Sequence, residues 1–162
     1  MSNTELTLNE LKKRCSSFQK KYELPTFEQL NEDFQIEKIC ENETDFLIRE
    51  IRKFIADRLY NTLRFIETLL NPVNAPVFII SLSKAMSPED KRSFGEIYKN
   101  LAKKEIELFK LDFVYSEEKE AKFIKESYNF WQGIKNQIFS SIENAEKGLD
   151  RKLEEKEKGY FG

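Results

Sequence analysis

Apolar residues recur at helical spacing along almost the whole chain. Leu8, Leu11, Cys15, Phe18 and Tyr22 fall every three or four positions, predicting a first helix that Pro25 prevents from continuing. Thr7-Leu8-Asn9-Glu10 ahead of it is a capping box: the Thr7 hydroxyl accepts from the Glu10 amide while the Glu10 carboxylate reaches back. Leu6 and Leu11 occupy the positions of the accompanying hydrophobic staple. Thr26-Phe27-Glu28-Gln29 repeats the box and opens a short helix with Phe27, Leu30 and Phe34 inward. Ile36, Ile39 and Cys40 are expected to tuck beneath a loop, and Asn42 or Thr44 to cap the next helix.

The strongest pattern runs from about Asp45 to Leu70, with no Gly or Pro and with Leu47, Ile51, Phe54, Ile55, Leu59, Thr62, Ile66 and Leu69 on one side. Asn71-Pro72 ends it, because the residue before proline resists the helical region. Val77-Phe78-Ile79-Ile80 alone fits a strand as well as a helix. With no second strand to pair with it, Ala75 to Ala85 is predicted to be a short buried helix. Ser87-Pro88-Glu89-Asp90 then supplies an N-cap, a proline at the first helical position and two acids at the positive end of the dipole. The helix it opens extends to about Leu111, with Phe94, Ile97, Tyr98, Leu101, Leu108 and Phe109 inward. Asp112 to Tyr115 connects to a last helix capped by Ser116 and running from Glu117 to at least Glu146. Its apolar arc is wide from Phe123 to Ile134 and narrows to the stripe Ile138, Ile142, Ala145, Leu149 and Leu153. Gly148 marks a cap or weak point, and the charge run Arg151 to Lys158 reads as a frayed end.

The expected fold class is therefore all-α: a bundle of long antiparallel helices with short helices packed at one end. Residues 1–147 form one domain in this reading, and 148–162 a charged, frayed or partner-binding tail.

Composition narrows the chemistry more than the fold. The 162 residues are 40% hydrophobic and 35% charged, the balance of a soluble globular chain. Histidine is absent, which removes His-based triads, HExxH zinc sites and Glu-x-x-His di-iron bundles together. Five glycines and four prolines are too few for an all-β protein. Cys15 and Cys40 form neither a CxxC nor a disulfide framework, and Cys15 on the apolar stripe reads as a small buried hydrophobe. The start of the chain is acidic without an apolar stretch of the secretory type, and the run Val77 to Leu82 is far short of the roughly 20 residues that span a bilayer. A cytoplasmic protein with no membrane partner is expected. The net charge of −2 provides no global field for nucleic acid.

Leu24-Pro25-Thr26-Phe27-Glu28, the run Phe46-Leu47-Ile48-Arg49-Glu50-Ile51-Arg52 and the acidic entry to the last helix resemble a type of small helical protein encoded in archaeal genomes. The resemblance spans residues 24–146. It implies an intracellular all-helical protein and carries over no active-site residue.

No phosphate loop can be built from glycines as scattered as these, and no cofactor is expected. Glu117/Glu120 and Glu143/Glu146 have the spacing of magnesium-binding carboxylate pairs, but on one helix they stand roughly 39 Å apart and cannot share an ion. No catalytic, cofactor or metal residue is therefore assigned, and an enzyme is the least favoured class. Three constellations remain. Arg58, Glu105 and Lys135 each sit inside an apolar arc and form a candidate polar core, with Arg58 expected to face Glu105. A small anion site lined by the two bases is the functional reading, and an ion pair fixing helix register the structural one. Arg49, Lys53, Tyr60 and Arg64 fall within roughly 60° on the helix that starts near Asp45, a candidate basic face for a phosphate backbone diluted by Asp57 and Glu67. Ile138, Ile142, Ala145, Leu149 and Leu153 step like a coiled-coil seam, or else close the bundle internally. The expected function is non-enzymatic: protein–protein interaction or self-association, with a nucleic-acid-associated factor as the alternative.

Overall fold

The structure, a computed structural model, describes residues 7–41 and 44–160. Every element among them is helical: α1 (Leu8–Tyr22), α2 (Phe27–Phe34), a 3-10 turn (Ile36–Glu41), α3 (Leu47–Leu70), α4 (Val77–Ala85), α5 (Pro88–Phe113) and α6 (Glu117–Tyr160). The fold is an all-α helical bundle. No helix among the described residues is long and apolar enough to cross a membrane.

The starts of these helices follow from side chains that satisfy the otherwise orphaned first amides. Both capping boxes form. The Glu10 amide donates to Thr7 Oγ1 at 3.3 Å and the Gln29 amide to Thr26 Oγ1 at 3.2 Å, with the reciprocal bonds from the Thr7 and Thr26 amides at 2.9 Å each. Ser87 Oγ accepts from the Asp90 amide at 3.0 Å to open α5, and Ser116 Oγ from the Lys119 amide at 3.3 Å to open α6. Thr44 Oγ1 accepts from the Phe46 amide at 3.0 Å just ahead of α3, while Asn42 and Leu6 lie outside the described residues. The first two helices end on left-handed residues, Glu23 at φ 56° and Gln35 at φ 54°, where the chain reverses.

The chain divides into two compact units, Met1–Tyr60 with Lys104–Trp131, and Asn61–Lys103 with Gln132–Gly162. In the first, the amphipathic faces of α1, α2 and the 3-10 turn bury Leu11, Cys15, Leu30, Phe34, Ile36 and Ile39, and α6 contributes Phe123 and Ile124. Phe34 meets Trp131 at 6.2 Å between ring centroids. Burial pushes the Cys15 thiol up to about 11, so it serves as a small hydrophobe rather than a nucleophile.

In the second unit, Val77-Phe78-Ile79-Ile80 is helix, as the missing partner strand required. It is not the fully buried helix expected: Ile79 and Ser83 are inside, whereas Val77 and Phe78 are exposed. Buried Ser83 donates to the Leu69 carbonyl at 2.6 Å, filling one of the acceptors that the end of α3 leaves open. Nor does the helix end near Gly148. α6 continues through it to Tyr160, because this glycine is where α6 meets α4: a Cβ there would lie 3.2 Å from the Ala85 carbonyl oxygen. One turn on, Lys152 Nζ donates to the Lys84 carbonyl at 3.3 Å.

Two glycine substitutions in α6 should therefore act in opposite directions. A Cβ at Gly133 meets nothing within 4 Å, so Gly133→Ala should stabilise by about 1 kcal/mol through helix propensity. Gly148→Leu should destabilise by about 1–3 kcal/mol by forcing α4 and α6 apart. Urea denaturation measures both, and hydrogen exchange across Val77–Ala85 should quicken in the second variant alone.

Candidate functional site

The polar centre of the first unit is a carboxylate held by two guanidiniums. Glu120, in the first turn of α6, is 0% exposed, and Arg52 of α3 is 2% exposed. Arg52 Nε donates to Glu120 Oε2 at 2.7 Å and Arg49 Nε to Glu120 Oε1 at 2.9 Å. Each arginine also reaches the end of α5. Arg52 Nη2 donates to Asp112 Oδ1 at 2.7 Å, and Arg49 Nη2 to the Leu111 carbonyl at 3.0 Å, one of the acceptors that a helix terminus leaves open. For Arg52, burial opposes the charge, but the hydrogen bonds it donates to Glu120 and Asp112 outweigh it and hold the guanidinium above its usual range.

Further contacts extend this corner outward. The Arg49 guanidinium lies 5.1 Å from the centre of the Tyr115 ring, which meets Phe46 edge-on at 4.8 Å. Glu117 Oε1 accepts from Lys21 Nζ and Tyr22 Oη, each at 2.7 Å, tying the end of α1 to the start of α6. The hydrogen bond from Lys21, then that from Tyr22, holds the Glu117 carboxyl below the usual range. Glu117 and Glu120 are thus neutralised by protein cations and are not available as a magnesium-binding pair.

Next to this corner the last two turns of α5 turn their apolar side to solvent. Ile106, Phe109, Phe113 and Val114 are 60–73% exposed. Phe109 and Phe113 contact each other edge-on at 5.2 Å. The apolar spacing places Phe109 inside, and the structure exposes it; α5 ends at Phe113, close to the expected end at about Leu111. Two further residues carry the helix to Phe113 and set that ring on the same helix face as Phe109 and Ile106.

The residues singled out by spacing fare unevenly. Arg58 is exposed, not buried, and Glu105 is half-buried. Burial and then the Asp57 carboxylate raise the Glu105 pKa. The buried acid–base pairing is made by Arg52 and Glu120 instead. Lys135 is half-buried in the second unit. Arg49 is drawn into the corner, Lys53 binds Glu50 at 2.8 Å, and Arg64 binds Glu67 at 2.8 Å; Tyr60 is exposed. Of the stripe, Ile138 and Ala145 are buried, Ile142 and Leu149 half-buried, and only Leu153 is exposed.

Spacing held the signal for the pair it missed. At about 100° per residue, Arg52 lies within roughly 60° of Ile48, Ile55 and Leu59, and so interrupts the α3 arc just as Arg58 does beside Ile51. Glu120 likewise lines up with Ser127, Trp131 and Ile134 on α6.

Removing one partner of the buried cluster should be severe. Glu120→Ala is expected to destabilise by about 3–5 kcal/mol by stranding Arg52. The double change Glu120→Leu with Arg52→Met should be far milder, and chemical denaturation of the four-member cycle measures the coupling. Glu105 has the opposite sign. Its raised pKa means the folded chain holds that proton more tightly than the unfolded chain, so ionisation at neutral pH opposes folding. Glu105→Gln should therefore stabilise at pH 7, with the gain vanishing as pH falls and the native carboxyl takes its proton; a gain that persists in acid would contradict this. The chain matches no family model, no curated protein and no solved structure, so its own side chains carry the functional argument.

Proposed function

We propose that the protein is a non-enzymatic interaction module whose contact surface is the C-terminal half of α5. The observation that carries this reading is the exposed apolar face of Ile106, Phe109, Phe113 and Val114. Scattered exposed hydrophobes are ordinary, but three on adjoining turns, with Val114 just past the helix end, form a patch of the kind that marks an interaction site. Large aromatic anchors are what such contacts use most, and a face set on a helix is already ordered before binding. The ion cluster at Leu111 and Asp112 holds the end of that helix, so the face is presented by a fixed support.

The alternative, nucleic-acid binding through α3, has weaker support. Arg49 is engaged by Glu120 and Leu111, and Lys53 and Arg64 by acids one turn away on their own helix. The C-terminal stripe also has less to offer a partner than its spacing promised, since Ile138 and Ala145 are inside.

A photo-crosslinking residue at position 113, introduced in the native cell, should capture a discrete partner that the same residue at exposed position 13 does not. Identical adducts from both positions, or none from position 113, would remove the reading. A steep loss of nucleic-acid binding with salt, undisturbed by Phe113→Ser, would favour the alternative.

A further inference from the structure

We infer that the occupant of the α5 face is an acidic amphipathic helix, its apolar side seated on Ile106, Phe109 and Phe113 and its carboxylates on Lys110, Lys119 and Lys122. The inference rests on the proposed contact surface and adds the chemistry of its partner. Beside the phenyl pair, the end of α5 and the first turns of α6 enclose an open groove of about 370 Å³, lined by Glu107, Lys110, Leu111, Val114, Lys119 and Lys122. Three ammonium groups face one carboxylate there, and Glu107 is already engaged by Lys104 Nζ at 3.1 Å. Lys122 makes a loose contact with Glu126 at 3.8 Å. The chain as a whole carries −2, so this basic rim runs against the average and lies beside an exposed apolar face.

Charge complementarity and shape select the occupant. A helix offers apolar anchors at positions three, four and seven apart with acids on either flank, which matches an apolar strip bordered by lysines. A second copy fits poorly. In a two-fold dimer the same patch meets itself, setting Lys110, Lys119 and Lys122 against their own counterparts. Four side chains also present roughly 500 Å² at most, below the roughly 800 Å² per partner of a standard stable interface. A single-stranded nucleic acid would stack successive bases on parallel rings, whereas Phe109 and Phe113 stand at 81° to each other.

The test is fluorescence anisotropy of the full chain with two labelled synthetic amphipathic helices, identical except that flanking glutamates in one are lysines in the other. The glutamate peptide should bind and the lysine peptide should not. Its affinity should fall at least about tenfold between about 50 and about 300 mM salt, as exposed charge pairs do. Lys110→Glu with Lys119→Glu and Lys122→Glu should abolish that binding and confer binding of the lysine peptide. Phe109→Ser with Phe113→Ser should abolish both, with circular dichroism confirming that each variant keeps its helices. Equal binding of both peptides to the native chain, lost only with the phenylalanines, would overturn the acidic partner and leave the contact surface standing. The same division holds if neither peptide binds while position 113 still crosslinks in cells. A dimer in light scattering that Phe109→Ser with Phe113→Ser dissociates would make the occupant a second copy and overturn the inference. Displacement of the glutamate peptide by an oligonucleotide, at the same site and in the same salt, would overturn it in favour of nucleic acid. No peptide binding together with no crosslink at position 113 removes both the partner and the surface.

Discussion

Glu120 has no access to water, and an ionised carboxylate in that position is tolerable only if its oxygens are filled by charged donors. Arg49 and Arg52 fill them, and α3 delivers both from positions one turn apart. The consequence reaches beyond the pair. Because the same two guanidiniums also hold Leu111 and Asp112, one buried charge sets the end of α5, the start of α6 and the first half of α3 at fixed distances. A hydrophobic replacement of similar volume would pack as well and lose that specification. The register of three helices depends on a bond pattern with few alternatives, whereas apolar contacts accept many.

From that corner outward the interactions become weaker and more numerous. Lys21 and Tyr22 share Glu117, and Arg49 lies over Tyr115, which in turn touches Phe46. Exposed pairs of this kind contribute little individually in salt, but they meet at one place, where α1, α3 and α6 all end or begin. The surface beside them is thus well supported, and it is there that Phe109 and Phe113 stand in water. Large rings left exposed on a yielding loop would be an aggregation hazard; here an anchored helix holds them in order.

The sequence is most legible where a local rule acts on a few neighbouring residues. Thr7 with Glu10, Thr26 with Gln29, Ser87 and Ser116 all cap as their spacing implies, since a cap depends only on a side chain and an amide three positions on. The want of a partner strand likewise selects helix at Val77. Local pattern fails where tertiary structure decides. Gly148 has the composition of a helix end, yet α6 passes through it because Ala85 comes close, and no local pattern records that approach. Arg58 and Arg52 both interrupt the apolar side of α3, yet Arg58 is exposed and Arg52 is buried, where Glu120 and Asp112 meet its guanidinium. The approach of α6 and of the end of α5, which no pattern within α3 records, separates the two.

The same distinction accounts for α5. Its apolar positions form two sets, not one. Phe94, Ile97 and Leu101 are buried, while Ile106, Phe109 and Phe113 recur with the same period but out of phase with them, and are exposed. A single amphipathic stripe extended along the helix merges the two and places Phe109 inside. A helix needs only one apolar side to pack, and toward the end of α5 buried Leu111 supplies it, so the exposed set stands apart from the core. Chance would scatter such residues; here they stand on successive turns, with two rings in mutual contact and lysines along the border. The shift of phase within α5 therefore separates the residues that build the core from a regularly spaced apolar face left to solvent.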